Sequence, residues 1–343
     1  MLSDLPSRVL RSPGRYAVLL NARAKRWTGQ LHQDVQRWVT SQDLFLTDDF
    51  HQAERTVEKL LAADYDVIFT GGGDGTIVYL LNAIEQRIRD GKLARDDAPP
   101  VGVLRMGTGN AIATYMGSRD IVDDLRALRA GSPLIVYEMG MLESQEGMFP
   151  FAGFGWDALI LNDYDNFKES VAQTAWENYA TGLGGYVVSV ATRSIPAAVK
   201  GRGNTMRVTN LGSAVRIDQD GTVLEEYQAD DVIYEGRVTV ASAATEPYWG
   251  FKIRMFPHCT ERDGHFEFRA FSGSVVSVLR NLPGFWRGEF DRDEIDSFLC
   301  TNIRVEILDG AMPYHVAGDP AGYERVVEWK YAPHPAHLAV PLR

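Results

Sequence analysis

The sequence predicts an α/β N-terminal domain built on a parallel sheet, followed by a C-terminal, mainly antiparallel β-sandwich domain. Three observations carry this. Across residues 16–130, short apolar or β-branched runs alternate with apolar residues at helical spacing, as in strands joined by helices over a parallel sheet. Two of the strand-to-helix junctions are glycine loops, at residues 71–76 and 107–110. From Met206 onward, strand-length runs are instead separated by Asp-Gly turn signals. A length of 343 residues suits two domains, and 45% hydrophobic content allows a sizeable core.

In order, residues 1–15 hold Pro6, Pro13, Gly14 and several arginines and read as a loose leader. Residues 16–20 form the first strand candidate and run into Asn21-Ala22-Arg23-Ala24-Lys25, a polar, basic turn. A helix is expected over 31–39 and a second strand over 44–47. Ala53, Val57, Leu60 and Leu61 fall on one helical face. Residues 67–70 are the third strand, and Ile77, Leu80, Leu81, Ile84 and Ile88 stripe the helix after the first glycine loop. Residues 91–100 are a charged surface connection, and 101–104 the fourth strand. Asn21 and both glycine loops follow strands in the same sense, so they gather at one edge of the sheet, where such folds bind ligands.

The second half changes character after a helix expected over 122–130. Strands are expected at 134–137, 149–154, 238–243, 251–256, 266–271 and 303–308, and helices at 171–181 and 186–199. Asp220-Gly221, Asp263-Gly264 and Asp309-Gly310 are hairpin-type dipeptides. The domains so drawn are 16–136 and 137–324, with ligand chemistry expected in the crevice between the halves.

A net charge of -11 argues against broad nucleic-acid binding, which is mostly phosphate neutralisation by Lys and Arg. Cys259 and Cys300 lack metal-type spacing and imply free thiols in a reducing compartment. No histidine pair has HxH or HxxxH spacing. There is no signal-like apolar region near Met1 and no run long enough to span a bilayer, so the expected location is cytoplasmic, peripheral to the membrane.

The glycine loops carry the chemistry. Four glycines among residues 71–75 let the backbone turn tightly and approach a ligand closely. A helix starting near Thr76 aims N–H groups and a positive dipole end at that loop, which favours an anion and above all phosphate. Asp74 adds a carboxylate suited to a nucleotide's Mg2+ or to accepting a proton; its structural alternative is a helix cap. Neither GxxxxGK[ST] nor GxGxxG is present, so a different loop must hold the phosphates.

Gly72-Gly73-Asp74-Gly75-Thr76 followed by Gly107-Thr108-Gly109-Asn110-Ala111 resembles the diacylglycerol kinase catalytic family, which includes bacterial lipid kinases and sphingosine and ceramide kinases. Asn21 with its basic turn is similar to the family's NPxSG motif, with Ala22 where proline is usual. Gly153-Phe154-Gly155-Trp156-Asp157-Ala158 resembles its G-[FW]-D-A stretch, and Phe256-Pro257 through Asp263-Gly264 its aPxAxxDDG hairpin. Ala317-Gly318-Asp319-Pro320 stands where the family has Asp-Gly-Glu-Pro. His258 and Arg262 stand where acidic residues are common, so the structural Mg2+ of some relatives is not expected here.

The resemblance implies the α/β-plus-sandwich fold of NAD and diacylglycerol kinases, with residues 325–343 returning to the first domain. It implies ATP and Mg2+ as cofactors and transfer of the γ-phosphoryl group to a lipid hydroxyl, most simply diacylglycerol to phosphatidic acid in phospholipid biosynthesis. A sphingoid base or ceramide is the alternative acceptor, since Gly109-Asn110-Ala111 resembles the sphingosine kinase form. A catalytically weak, nucleotide-binding regulatory protein is the alternative of another class, because Ala317 and Asp319 replace Asp and Glu.

Asn21, Gly72, Gly73, Asp74, Gly75, Thr76, Thr108, Gly109 and Asn110 would meet the nucleotide, with Asp74 on its Mg2+ and Arg23 or Lys25 neutralising phosphate. Asp319 would be the general base and Asp157 would face the acceptor. The 137–324 domain would take the lipid. The aromatic and basic residues of 248–252 and 282–287 would supply peripheral membrane contact. A homodimer is a further expected partner state.

Overall fold

The computed structural model describes residues 5–24, 26–107, 110–155, 158, 203–249, 253–274, 277, 284, 287–289 and 294–342. The chain divides into two compact units, Met1–Gly140 with His334–Arg343, and Met141–Pro333.

The first unit contains β1 (Ser7–Leu10), β2 (Tyr16–Asn21), α1 (Gly29–Trp38), β3 (Leu44–Thr47), α2 (Phe50–Leu61), β4 (Val67–Gly72), α3 (Asp74–Arg89), β5 (Val101–Arg105), α4 (Ala111–Tyr115), α5 (Ile121–Arg129), β6 (Leu134–Met139) and a terminal strand, Ala336–Pro341. Thr28 and Asp49 start α1 and α2 by accepting the N–H groups of Leu31 and Gln52.

The seven strands lie in the order β1, β6, terminal strand, β5, β4, β2, β3. β2 to β5 pair in parallel, and the terminal strand runs parallel to β5 and antiparallel to β6. β3 lies on one side of β2 and β4 on the other, so the direction of growth reverses between β2 and β4. Val35 and Val39 of the α1 region pack with Leu125 and Leu128 of α5 on one face, over Val18, Leu20 and Phe69. α2 and α3 touch each other instead. A crevice beyond the carboxyl ends of the strands at such a reversal is where open α/β sheets bind ligands. Asn21 and Gly72 end the two strands that flank it.

The leader expected to be loose is a strand over Ser7–Leu10, antiparallel to β6. Pro6 and Pro13 flank the paired residues rather than interrupting them. Val9 is 65% exposed, and Arg8 beside it suits a sheet edge, where a charge discourages pairing with another chain.

The second unit contains β7 (Leu142–Ser144), β8 (Gly147–Phe149), β9 (Phe151–Gly155), β10 (Asn204–Asn210), β11 (Ala214–Ile217), β12 (Val223–Tyr227), β13 (Val232–Val238), β14 (Val240–Ala244), β15 (Phe266–Phe271), β16 (Ile295–Cys300), β17 (Asn302–Ile307), β18 (Met312–Val316), β19 (Asp319–Glu324) and β20 (Val326–Tyr331). They form two antiparallel sheets, ordered β13-β10-β17-β20-β7-β8 and β12-β11-β16-β15-β14-β9-β18-β19. Trp329 from the first sheet is fully buried against Tyr314, Phe154 and Phe268 of the second. Its indole N–H donates to the Tyr314 hydroxyl at 3.2 Å, which satisfies the one polar atom this ring brings into the core.

Because β6 runs to Met139 and β20 pairs with β17 and β7, residues 137–140 fall in the first unit and 325–333 in the second. Asp220-Gly221 joins β11 to β12 as a hairpin. Asp309-Gly310 does not: it connects β17 to β18, which lie in different sheets, and the Asp309 carboxylate accepts the Thr205 N–H. Residues 253–256 are irregular rather than extended in a ladder. The Trp249 N–H bonds the Ile253 carbonyl and the Phe256 N–H the Pro247 carbonyl, folding the segment back on itself ahead of Pro257. The helices expected at 171–181 and 186–199 lie outside the described residues.

At the far end of α3, Glu85 is 8% exposed and is clasped by Arg95 at 2.9 and 3.0 Å and by Arg89 at 3.2 Å. Burial alone would raise its pKa, but the hydrogen bonds from Arg95 and Arg89 outweigh it and hold the carboxyl below the ordinary value. A depressed carboxyl stabilises the fold above its unfolded pKa, and that stability is lost as pH falls through the folded pKa. The wild-type unfolding midpoint is therefore expected to fall on acidification below about pH 4.5. Glu85→Gln is expected to lower the midpoint at pH 7 and to flatten the acid decline, as read by thermal melts from pH 3 to 7.

Candidate functional site

The first glycine loop is the end of β4 and the start of α3. A Cβ on Gly71 would fall 2.7 Å from Leu20 Cδ2 and 2.8 Å from Met106 Sδ, and one on Gly72 would fall on the Thr76 hydroxyl. Gly73 differs: among the described residues nothing lies within 4 Å of the position its Cβ would take. Gly73 is also the N-cap of α3 and offers no side chain to the first turn. The start of a sixteen-residue helix thus lies beside open space with no side-chain cap from the N-cap residue, an arrangement suited to an anion. Gly75 and Thr76 belong to that first turn, where the Thr76 N–H bonds the Gly73 carbonyl at 3.0 Å.

The second loop is seated on the first. A Cβ on Gly107 would stand 2.6 Å from Gly73 Cα and 2.8 Å from the Gly72 carbonyl oxygen, so only glycine lets the two backbones meet. Asn110 sits in the left-handed region (φ 49°), which asparagine tolerates better than most residues. Its amide donates to the Gly107 carbonyl, and its own carbonyl accepts the Thr114 N–H at 2.8 Å.

Asp74 joins the loops. Its Oδ2 accepts the Ala111 N–H at 2.9 Å and its Oδ1 accepts the Ile112 N–H at 3.0 Å. The carboxylate leaves its own helix and caps the first turn of α4, where N–H groups would otherwise lack acceptors. The capping alternative is thus present in the structure, on a different helix from the one that carries Asp74.

Asn21, at the end of β2, forms an Asx turn: its Oδ1 accepts the Arg23 N–H at 2.9 Å. Nothing among the described residues accepts from its amide, which leaves two donors for a ligand. Arg23 is exposed, and Lys25 lies outside the described residues. Two cations without an assigned role come to this edge instead. Arg26 donates to the Arg105 carbonyl at 3.1 Å and pairs with Asp120 at 2.7 Å. Arg105 ends β5 opposite Gly72 and donates to the Thr114 hydroxyl at 3.2 Å. The available signal for Arg105 is its place two residues before Gly107, at a strand end.

The donor set fits a phosphate: an open glycine face, a helix start and the Asn21 amide. A dedicated metal cage is not formed, since among the described residues no three His, Cys, Asp or Glu side chains group to hold an ion. A Mg2+ would arrive on the nucleotide's own phosphates, as this ion commonly does, with Asp74 the one nearby carboxylate of the loop.

Thr108, Gly109 and Asp157 lie outside the described residues. Asp319 belongs to the second unit. It is exposed at the start of β19, after a tight turn in which Ala317 and Gly318 both have positive φ, 50° and 82°. Such a turn favours Asn or Asp followed by Gly, so Ala317 occupies a position where a short polar side chain is easier to place. In the segment 256–264, His258 bonds Glu261 at 2.7 Å and the Gln219 carbonyl at 2.8 Å. Of the aromatic stretches, Tyr248 and Trp249 are half-buried, and Arg287 is paired with Glu289 at 2.7 Å. No helix among the described residues is long and apolar enough to cross a membrane.

Three substitutions separate the roles. Gly107→Ala is expected to force the loops apart, lowering the unfolding midpoint and weakening nucleotide binding by about tenfold or more. Gly73→Ala, with a Cβ in open space and φ of -85°, is expected to cost no more than about 1 kcal/mol of stability while still weakening nucleotide binding. Urea unfolding and calorimetric titration read the two effects apart. Asp74→Asn keeps the shape but turns one acceptor into a donor facing an N–H, and is expected to destabilise the first unit by about 2 kcal/mol.

Comparison with known proteins bears on the fold and on the first unit. Residues 15–136 match the family model for the diacylglycerol kinase catalytic domain. Over 105 residues, 30% of this chain, the sequence is 31% identical to the protein named Probable lipid kinase YegS of Escherichia coli O9:H4 (strain HS). It is 32% identical over the same length to the protein of that name from Salmonella dublin. The matched region spans 33% of the length of these relatives. Among solved structures from Bacillus anthracis str. Sterne, one of a candidate diacylglycerol kinase superposes with a TM-score of 0.63 at 16% identity, covering 95% of this chain and 97% of that one. A second, of a diacylglycerol kinase, gives 0.56 at 14% identity, covering 94% and 98%. At these identities the structural likeness is one of fold. Residues 15–136 are therefore similar to the diacylglycerol kinase catalytic domain, the resemblance that the two glycine loops carry.

Proposed function

We propose that this chain is an ATP-dependent lipid kinase that moves the γ-phosphoryl group to a lipid hydroxyl, with diacylglycerol as the first candidate acceptor and phosphatidic acid as product. The observation that carries the reading is the seating of Gly107 on Gly72 and Gly73, which makes one cradle of two loops and leaves the Gly73 face open at a helix start. Phosphoryl transfer needs positioning and charge neutralisation more than covalent chemistry from the protein, and a rigid backbone cradle supplies positioning.

In this reading the backbone around Gly72, Gly73, Gly75 and Thr76 binds the phosphates, with Thr108, Gly109 and Asn110 on the second loop beside it. The Asn21 amide orients the nucleotide. Mg2+ carried on the phosphates would neutralise charge that builds during transfer. Asp74 holds the second loop in place and is the carboxylate at hand for that ion. Asp319, on the family resemblance, accepts the proton of the lipid hydroxyl. The freed oxygen then bonds the γ-phosphorus as the bond to the ADP oxygen breaks. Asp157 is assigned to the acceptor side on the same resemblance. A lipid acceptor implies peripheral membrane contact.

A sphingoid or ceramide acceptor is the second reading. It rests on Ala111 following Asn110, where an acidic residue is usual in bacterial diacylglycerol kinases.

The test is a panel assay with radiolabelled ATP on diacylglycerol, ceramide, a sphingoid base and phosphatidylglycerol. One lipid is expected to give labelled product. Asp319→Ala is expected to lower turnover by about 10² or more, and Asp319→Glu to preserve or raise it. No lipid-dependent ATP consumption across the panel would reject the kinase reading in favour of a nucleotide-binding regulatory protein. Unchanged turnover in Asp319→Ala would remove Asp319 from the base role alone.

A further inference from the structure

Arg105 is a cation with no counter-charge paired to it among the described residues. It ends β5, and its Cα pairs across the ladder with Gly72, the last residue of β4. Successive strand residues point to opposite faces. Leu104 and Met106 pack in the core cluster shared with α1 and α5, so the side chain of Arg105 lies on the other face, and there it bonds Thr114 of α4. Thr114 is one turn from Asn110, whose carbonyl accepts its N–H. The guanidinium is therefore set against the helix that opens from the second glycine loop, on the strand next to the one that opens the first.

Its partners are few. Among the described residues its one side-chain bond runs from Nη2 to the neutral Thr114 hydroxyl, and its buried Nε has no acceptor there. No carboxylate among the described residues pairs with it. Elsewhere in this unit, half-buried arginines are matched: Arg95 meets Glu85, Arg119 meets Asp124 and Arg87 meets Glu58. A cation partly withdrawn from water and answered by one neutral hydroxyl is costly, because lost hydration is not replaced by an opposite charge. Folding alone gives no return for that cost. Arg26 adds to the arrangement by holding the Arg105 carbonyl at 3.1 Å while its own charge is taken up by Asp120. The end of β5 is thereby fixed, and Arg26 does not compensate for Arg105.

We propose that Arg105 is the cation that meets the anionic phosphate oxygens of the ligand held by the two glycine loops. This rests on the phosphate-binding reading of that cradle. The two glycine loops of this chain bring no lysine of the GxxxxGK[ST] kind, and here a strand-end arginine fills that need. A guanidinium presents five N–H donors in a fork that matches phosphate, and its half-buried position leaves donors for a ligand once Thr114 has taken one. The same chemistry could belong to a nucleotide's phosphates or to a lipid headgroup phosphate, and the two are separable by probe.

The experiment compares the full-length wild type with Arg105→Gln and Arg105→Lys. Thermal melts and calorimetric titrations are run with ATP and Mg2+, with inorganic pyrophosphate, and with phosphatidylglycerol vesicles. Arg105→Gln is expected to match or exceed the wild-type melting temperature without ligand, since a desolvated charge has been removed. It is expected to bind ATP and pyrophosphate at least about tenfold more weakly, with a shallower dependence on salt, and Arg105→Lys is expected to fall between. A loss confined to vesicle binding would assign Arg105 to the lipid phosphate and overturn the nucleotide arm.

If Arg105→Gln binds ATP and pyrophosphate as the wild type does, the proposal fails and the phosphate-cradle reading stands. A lower unliganded melting temperature with unchanged affinity would make Arg105 a structural tie to Thr114. If the wild type itself binds no nucleotide, pyrophosphate or vesicle, the cradle reading and the proposal fail together.

Discussion

The architecture of the candidate site depends on one carboxylate. Asp74 reaches from the first turn of α3 to the first turn of α4 and accepts two backbone N–H groups there. That bridge fixes the second glycine loop against the first, and the contact of Gly107 with the backbone of Gly72 and Gly73 is possible only because Gly107 carries no side chain. Remove the carboxylate and the helix start of α4 loses both acceptors; add a Cβ at Gly107 and the loops cannot close. The sheet supplies the rest by delivering β2, β4 and β5 side by side with their carboxyl ends at one edge.

This bears on how acidic residues in glycine loops are read. A carboxylate beside a phosphate cradle invites a metal role, and the sequence alone expects one of Asp74. The geometry gives it a structural duty first, with both oxygens engaged by backbone. The two duties are compatible, because each carboxylate oxygen has a second lone pair. They predict different losses, however, since a purely metal-binding residue contributes nothing to folding in the absence of metal.

Much of the first unit is legible in the sequence because its signals are local. Helical stripes such as Ile77, Leu80, Leu81 and Ile84 locate α3, and all four are buried. The glycine loops are visible as glycines. What is not legible is pairing at a distance. Ser7–Leu10 looks loose because its partner β6 is more than a hundred residues away, and Asp309-Gly310 looks like a hairpin because the sheet change it makes is not a local property. The Asp74 bridge spans thirty-seven residues and leaves no pattern in either stretch alone. Arg105 is invisible for a related reason: an arginine at a strand end is ordinary until it is seen that no carboxylate among the described residues pairs with it. In the second unit the turn dipeptides reveal antiparallel β structure, but the meeting of Trp329 with Tyr314, Phe154 and Phe268 depends on two sheets whose strand orders interleave the chain.

The central claim is that the two glycine loops act as one phosphate-binding surface. Amide hydrogen exchange on the full chain, with and without ADP and Mg2+, tests it most directly. The account predicts that nucleotide slows exchange together in peptides covering residues 71–76 and 107–112. Protection of one loop without the other, or of neither while nucleotide is bound elsewhere, would contradict it.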